Sequence, residues 1–201
     1  MTLITDDLRQ ELTKFYTHPS RHYHSLRHVE ALLALLSAHR DKFYDPEAVE
    51  AAIWFHDAIY DPRAKGNVNE VRSAELAMRH LSGQVDAVRL EGIRVMIEAT
   101  ATHTVPDLPS AEGVTDAMMF LDMDLSILGA DEAEFDEYEV AVRKEYAHVN
   151  DAEWKEGRAA VLKRFLEREW IYHSELFREL LEEKARANLR RSLERLGKSG
   201  P

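Results

Sequence analysis

Ile53-Trp54-Phe55-His56-Asp57-Ala58-Ile59-Tyr60-Asp61-Pro62 carries an apolar run into a His-Asp pair and soon meets a proline. Upstream, Val49, Ala52, Ile53 and Phe55 keep the 3.6-residue period of a helix, and Asp45-Pro46 supplies its start, Asp as cap and Pro in the first turn. A helix this apolar belongs in a core. A histidine and an aspartate at its end are then costly, roughly a few kcal/mol each, unless something pairs with them. A divalent cation suits both side chains, and the negative end of the helix dipole favours it there.

The sequence on either side has the same period and no alternating strand pattern. Helices are predicted over 6–16, from Ser25 through Leu36, and from Asp45 to Asp57. A fourth, capped by Asn67 or Asn69, runs to Gly83, and others cover 85–100 and 115–129. Three more cover 131–147, 151–171 and 175–196, with Ser174 capping the last and a frayed tail at Gly197–Pro201. Pro19 breaks the first helix, 61–67 is a loop beside the His-Asp pair, and 104–113 is the longest loop. No linker, repeat or low-complexity segment interrupts the chain. The expectation is an all-α single domain over 1–201, with its core at about 20–130 and C-terminal helices at about 131–196. The charged last helix reads as a solvated surface element with i,i+4 pairs.

A formal charge of −11 excludes a nucleic-acid polymer or an anionic membrane as the main partner. It leaves room for a small anionic substrate held by a metal and a few cationic side chains. With no cysteine, any metal must be held by His, Asp, Glu or water. The start, Met1 to Asp7, has neither basic flank nor apolar run, and no stretch approaches the roughly 20 apolar residues of a membrane span, so a cytoplasmic protein is expected. Ten histidines are the compositional oddity, and His18 and His22 read as solvated turn residues.

Four places can carry chemistry: His24 with His28, His56-Asp57, His103, and Asp122-Met123-Asp124. His24 and His28 share a face if their helix begins early enough. His56 and Asp57 point about 100° apart on a helix, so both reach one ion only where the helix end frays or the ion lies between them. Asp122 and Asp124 point about 200° apart, so at most one joins a shared site.

These residues sit in segments that resemble the HD-domain superfamily of metal-dependent phosphohydrolases, and specifically the small bacterial proteins described as predicted metal-dependent HD phosphohydrolases. The matching stretches are 21–29, 52–62, 69–74, 101–103, 120–129, 143–146 and 185–189, which extend over nearly the whole chain. The resemblance implies an HD-type helical bundle with His28, His56, Asp57 and one of Asp122 and Asp124 as ligands of one divalent ion (Mn, Fe, Co, Ni, Mg or Zn). Tyr23-His24-Ser25 followed by His28 also resembles the opening motif of cyclic-nucleotide phosphodiesterases, which implies a proton-donor role for His24. Asp124-Leu125-Ser126 matches their last ligand segment, so Asp124 is preferred and Asp122 would support the site or its helix.

The implied activity is hydrolysis of a phosphate ester, a nucleotide or nucleotide-like molecule among the candidates, by metal-activated water with a histidine acid. An HD lyase or oxygenase, or a silent fold binding a nucleotide or partner, are the alternatives. Asp61 is a candidate base or supporting group, or a turn residue before Pro62. Glu70 could orient a ligand histidine or cap its helix. His103 could bind a second metal, contact the substrate phosphate or be structural. Arg27, Lys65 and Arg158 are candidate phosphate partners, and no spacing selects among them. Monomer and homodimer both fit the amphipathic last helices.

Overall fold

The structure, a computed structural model, describes residues 2–198. These form nine α-helices and two 3-10 turns, with no strand among the described residues, so the all-α expectation holds. No described helix is long and apolar enough to cross a membrane. The chain divides between Asp124 and Leu125 into two compact units.

The first unit contains α1 (Asp6–Tyr16), α2 (Leu26–Ala38), α3 (Pro46–Phe55), α4 (Val68–Leu81), α5 (Ala87–Ala99) and α6 (Ala111–Asp124). Its hub is α3. From Ala48 to Phe55 every residue except Glu50 is buried, and α1, α2, α4, α5 and α6 all pack on it. Burying an Ile or Phe side chain contributes about 1.5–3 kcal/mol, so this helix is held from every side. Whatever follows Phe55 is therefore delivered to the middle of the unit.

The start of α3 is fastened by charge. The Asp45 carboxylate caps the Ala48 N–H at 3.1 Å and takes the two-pronged grip of Arg89, both contacts at 2.6 Å. Behind it, buried Asp116 on α6 accepts the Tyr44 and Asp45 N–H groups at 2.9 and 2.7 Å. Helix α1 belongs to this unit although the expected core began near residue 20. Leu8, Leu12 and Tyr16 are buried, and the Tyr16 hydroxyl donates to the Trp54 carbonyl at 2.9 Å.

Boundaries differ from expectation where side chains bond backbone. Helix α6 starts ahead of Thr115 because the Ser110 hydroxyl accepts the Gly113 N–H at 3.0 Å, and it tightens into a 3-10 turn over Leu125–Gly129. Asn67 stands at the N-cap of α4 without a side-chain cap bond. Asn69 does not cap either: its amide pairs with the backbone of Asp61 through contacts of 3.0 and 3.1 Å.

The second unit contains that 3-10 turn, α7 (Glu132–Glu145), α8 (Asp151–Leu166) and α9 (Glu175–Lys198), the last started by Ser174, whose hydroxyl accepts the Phe177 N–H at 3.3 Å. The last helix keeps most of its charges in solvent, with Arg186 and Glu182 paired i,i+4 as expected, but its other face is buried. Phe177, Ala185 and Leu189 of α9 are buried, and so are Glu182, Asn188 and Ser192. Its polar side chains serve as backbone partners. Glu182 accepts from Ile171 at 3.1 Å and from Tyr172 at 3.3 Å. Arg186 donates to the Leu166, Arg168 and Glu169 carbonyls, which ends α8 at Leu166 short of residue 171. Asn188 donates to Leu128 and Ala130, and a side chain at Gly129 would overlap the Leu181 backbone. Of the tail expected at Gly197–Pro201, Gly197 and the backbone of Lys198 continue α9, and residues 199–201 lie outside the described residues.

Replacing Asp116 by Ala should leave the two part-buried N–H groups of Tyr44 and Asp45 without their acceptor and lower urea stability by about 1–3 kcal/mol, with Asn intermediate. Wild-type stability in the Ala variant would contradict the anchoring role.

Candidate metal centre

Helix α3 ends at Phe55, and its last four carbonyls are all satisfied. The Ala52 carbonyl accepts the His56 N–H at 2.9 Å, and Phe55 accepts that of Ala58 at 3.0 Å. Trp54 is taken by Tyr16, and Ile53 accepts the His56 ring at 2.8 Å. His56 and Asp57 thus lie where the helix has stopped, the condition under which adjacent residues can face one ion.

A carbonyl can only accept, so the Ile53 contact puts a proton on His56 Nδ1 and leaves Nε2 to point away. His56 Nε2 lies 3.2 Å from His28 Nε2 and 3.1 Å from Asp57 Oδ2. Asp124 Oδ1 joins at 3.0 Å from His28 and 3.5 Å from His56. His28 and His56 are buried, and the Asp57 and Asp124 side chains are nearly so. Four electron-rich atoms from α2, the end of α3 and the end of α6 converge on one point. His28, His56 and Asp57 alone already form a group able to hold a metal ion.

The electrostatics say the same. Burial opposes charge on Asp57, yet His56, His24 and His28 hold its carboxyl well below the ordinary range. Burial likewise opposes charge on Asp124, and hydrogen bonds from His103, His28 and His56 outweigh it. Burial would keep His56 neutral, but Asp57 and Asp124 raise its pKa well above the usual value. The donor set calls for a positive charge at its centre, and a divalent ion fits two imidazole nitrogens and two carboxylates.

Asp124 has a second partner. Its Oδ2 lies 2.8 Å from His103 Nε2, which orients the carboxylate with Oδ1 towards the histidine pair. His103 is the one non-glycine described residue in the left-handed region, φ 49°. That conformation costs an ordinary side chain about 1–2 kcal/mol, and here it aims the ring at Asp124.

The structure places the remaining candidates differently. His24 precedes α2, so it does not share a helical face with His28; its ring stacks on Tyr60, centroids 4.2 Å apart, and stands 6.4 Å from the His28 ring. Asp122, two residues before Asp124 on α6, is fully buried. Asp61 is exposed and its carboxylate accepts the Arg63 N–H at 2.9 Å, which is the turn role. Glu70 Oε2 is buried without a partner, and burial pushes the carboxyl up from the ordinary range against a hydrogen bond from its own backbone N–H in the first turn of α4. Arg27 and Lys65 are exposed. Arg158 is buried in the second unit, donating to Glu139 and to the Tyr138 hydroxyl. His18 and His22 are exposed, as expected.

Sequence reasoning missed Arg21. Its guanidinium donates to the carbonyls of His24 at 2.9 Å, Asp57 at 2.6 Å and Ala58 at 2.8 Å. The available signal was Pro62, whose missing N–H leaves the Ala58 carbonyl without its helical partner. No family model, curated protein or solved structure matches the chain.

His103→Gly and His103→Ala should both bind a divalent ion about 10–100-fold more weakly than wild type. In metal-free protein the Gly variant should be the more stable of the two by about 1 kcal/mol in urea, because it adopts positive φ freely. Equal stability of the two variants would deny the backbone strain, and unchanged affinity would deny the orienting role.

Proposed function

We propose that this protein is a metal-dependent phosphohydrolase of the HD-domain superfamily, acting on a small phosphate ester of the nucleotide or nucleotide-like class. The observation that carries the reading is the convergence of His28, His56, Asp57 and Asp124 on one point, with the His24 ring beside it. One such group among the described residues supports a single ion.

When bound, a divalent cation supplies Lewis acidity towards the phosphoryl group and a nucleophilic water at neutral pH. The chain's own residues do the rest. His28, His56, Asp57 and Asp124 hold the centre, and the Ile53 carbonyl and His103 fix the orientation of two of them. Ile53, Phe55 and Phe120 are fully buried, and the Phe120 ring stands edge-on to His56, centroids 5.9 Å apart, which keeps water off the back of the site. His24 lies outside the ligand group, less buried than His28, and its imidazole is the group placed to give a proton to the leaving oxygen.

Chelator-treated protein should hydrolyse no phosphoester, and Mn2+ or Ni2+ should restore turnover of at least one member of a nucleotide and sugar-phosphate panel. His24→Ala should keep its metal and lose about 10²–10⁴-fold in kcat. Metal-loaded protein that turns over nothing on the panel would count against the hydrolase reading.

A further inference from the structure

His56 still has helical backbone and bonds the Ala52 carbonyl, and the four-residue ladder gives out just after it, where Phe55 accepts from Ala58 three residues on. Continued as a helix, the backbone would turn Asp57 about 100° away from His56. It would also pass the Asp57 and Ala58 carbonyls to the N–H groups four residues on, at Asp61 and Pro62. Pro62 has no N–H, and the Asp61 N–H is taken by Asn69 at 3.0 Å. Both carbonyls instead accept from Arg21, at 2.6 and 2.8 Å.

The same guanidinium reaches a third carbonyl, that of His24, at 2.9 Å. It lies 5.1 Å from the centroid of Tyr16 and 5.4 Å from that of Tyr60. Tyr16 secures the Trp54 carbonyl of α3, and Tyr60 carries the His24 ring. One side chain therefore ties the segment before α2 to the turn after α3. A planar fork with five donors can serve three carbonyls in one plane, whereas a lysine ammonium is a single point with a flexible stem.

We propose that Arg21 is a positioning residue of the metal centre: by taking the His24, Asp57 and Ala58 carbonyls together, it fixes the turn that carries Asp57 and ties the His24 segment to it. This rests on the metal reading above. Arg21 touches neither the ion nor the reacting atoms. It acts through the backbone of two residues that do.

The test compares Arg21→Ala, Arg21→Lys and wild type, with Arg89→Ala as a control that loosens the far end of α3. Mn2+ affinity is measured by calorimetry, metal-free stability in urea, and ligand geometry from the visible absorption of the Co2+-loaded protein. Arg21→Ala should bind Mn2+ about 10–100-fold more weakly, the range for groups that orient ligands, with an altered Co2+ spectrum. Arg21→Lys should recover part of that loss. Arg89→Ala should lose stability yet keep wild-type affinity and spectrum. Should Arg21→Ala fail to fold, the Lys variant decides, with affinity below wild type at near-wild-type stability. Wild-type affinity in the Arg21 variants, or an equal loss in Arg89→Ala, overturns the inference alone. A wild type that takes up neither Mn2+ nor Co2+ overturns the metal reading and this inference with it.

Discussion

The constraint on which the first unit depends is the abrupt end of α3 inside its own core. Five helices pack around α3, so its last turn has no access to bulk water, and each carbonyl there needs a protein partner. The chain supplies them from Tyr16, the His56 ring, and the His56 and Ala58 N–H groups, and Arg21 takes the Asp57 and Ala58 carbonyls just beyond. At this helix end the His56 ring nitrogen and the Asp57 carboxylate come within 3.1 Å of each other. Packing, capping and site geometry are here one problem with one solution.

The second consequence is electrostatic. Two buried carboxylates beside two buried imidazoles are unfavourable without positive charge among them. The two carboxylates push the His56 pKa up, and the histidines around them pull the carboxyls down. A divalent ion meets the need for positive charge, because it satisfies all four groups at once. The left-handed backbone at His103 fits the same logic, local strain held where it orients a ligand.

Much of this was legible in the residues. Helical periodicity gave the class, and Asp45-Pro46 marked the start of α3. The i,i+2 geometry of Asp122 and Asp124 limited the cluster to one of them, and the structure brings in Asp124. Long-range use of side chains was not legible. Nothing local tells that Asp116 serves the start of α3, that Glu182 and Arg186 bond the turn after α8, or that Arg21 replaces the N–H that Pro62 lacks. The charge count of α9 suggested a solvated surface, yet Arg178, Glu182 and Arg186 are spent on backbone inside the second unit. His24 misled by spacing alone, since four residues share a face only inside a helix, and α2 begins after it.

The most direct test of the central claim is elemental analysis of purified wild-type protein beside Asp57→Ala at equal concentration, after incubation with Mn2+ or Ni2+. The account predicts about one transition metal per chain in the wild type and its loss in the variant. No metal in either protein, or equal metal in both, would contradict it.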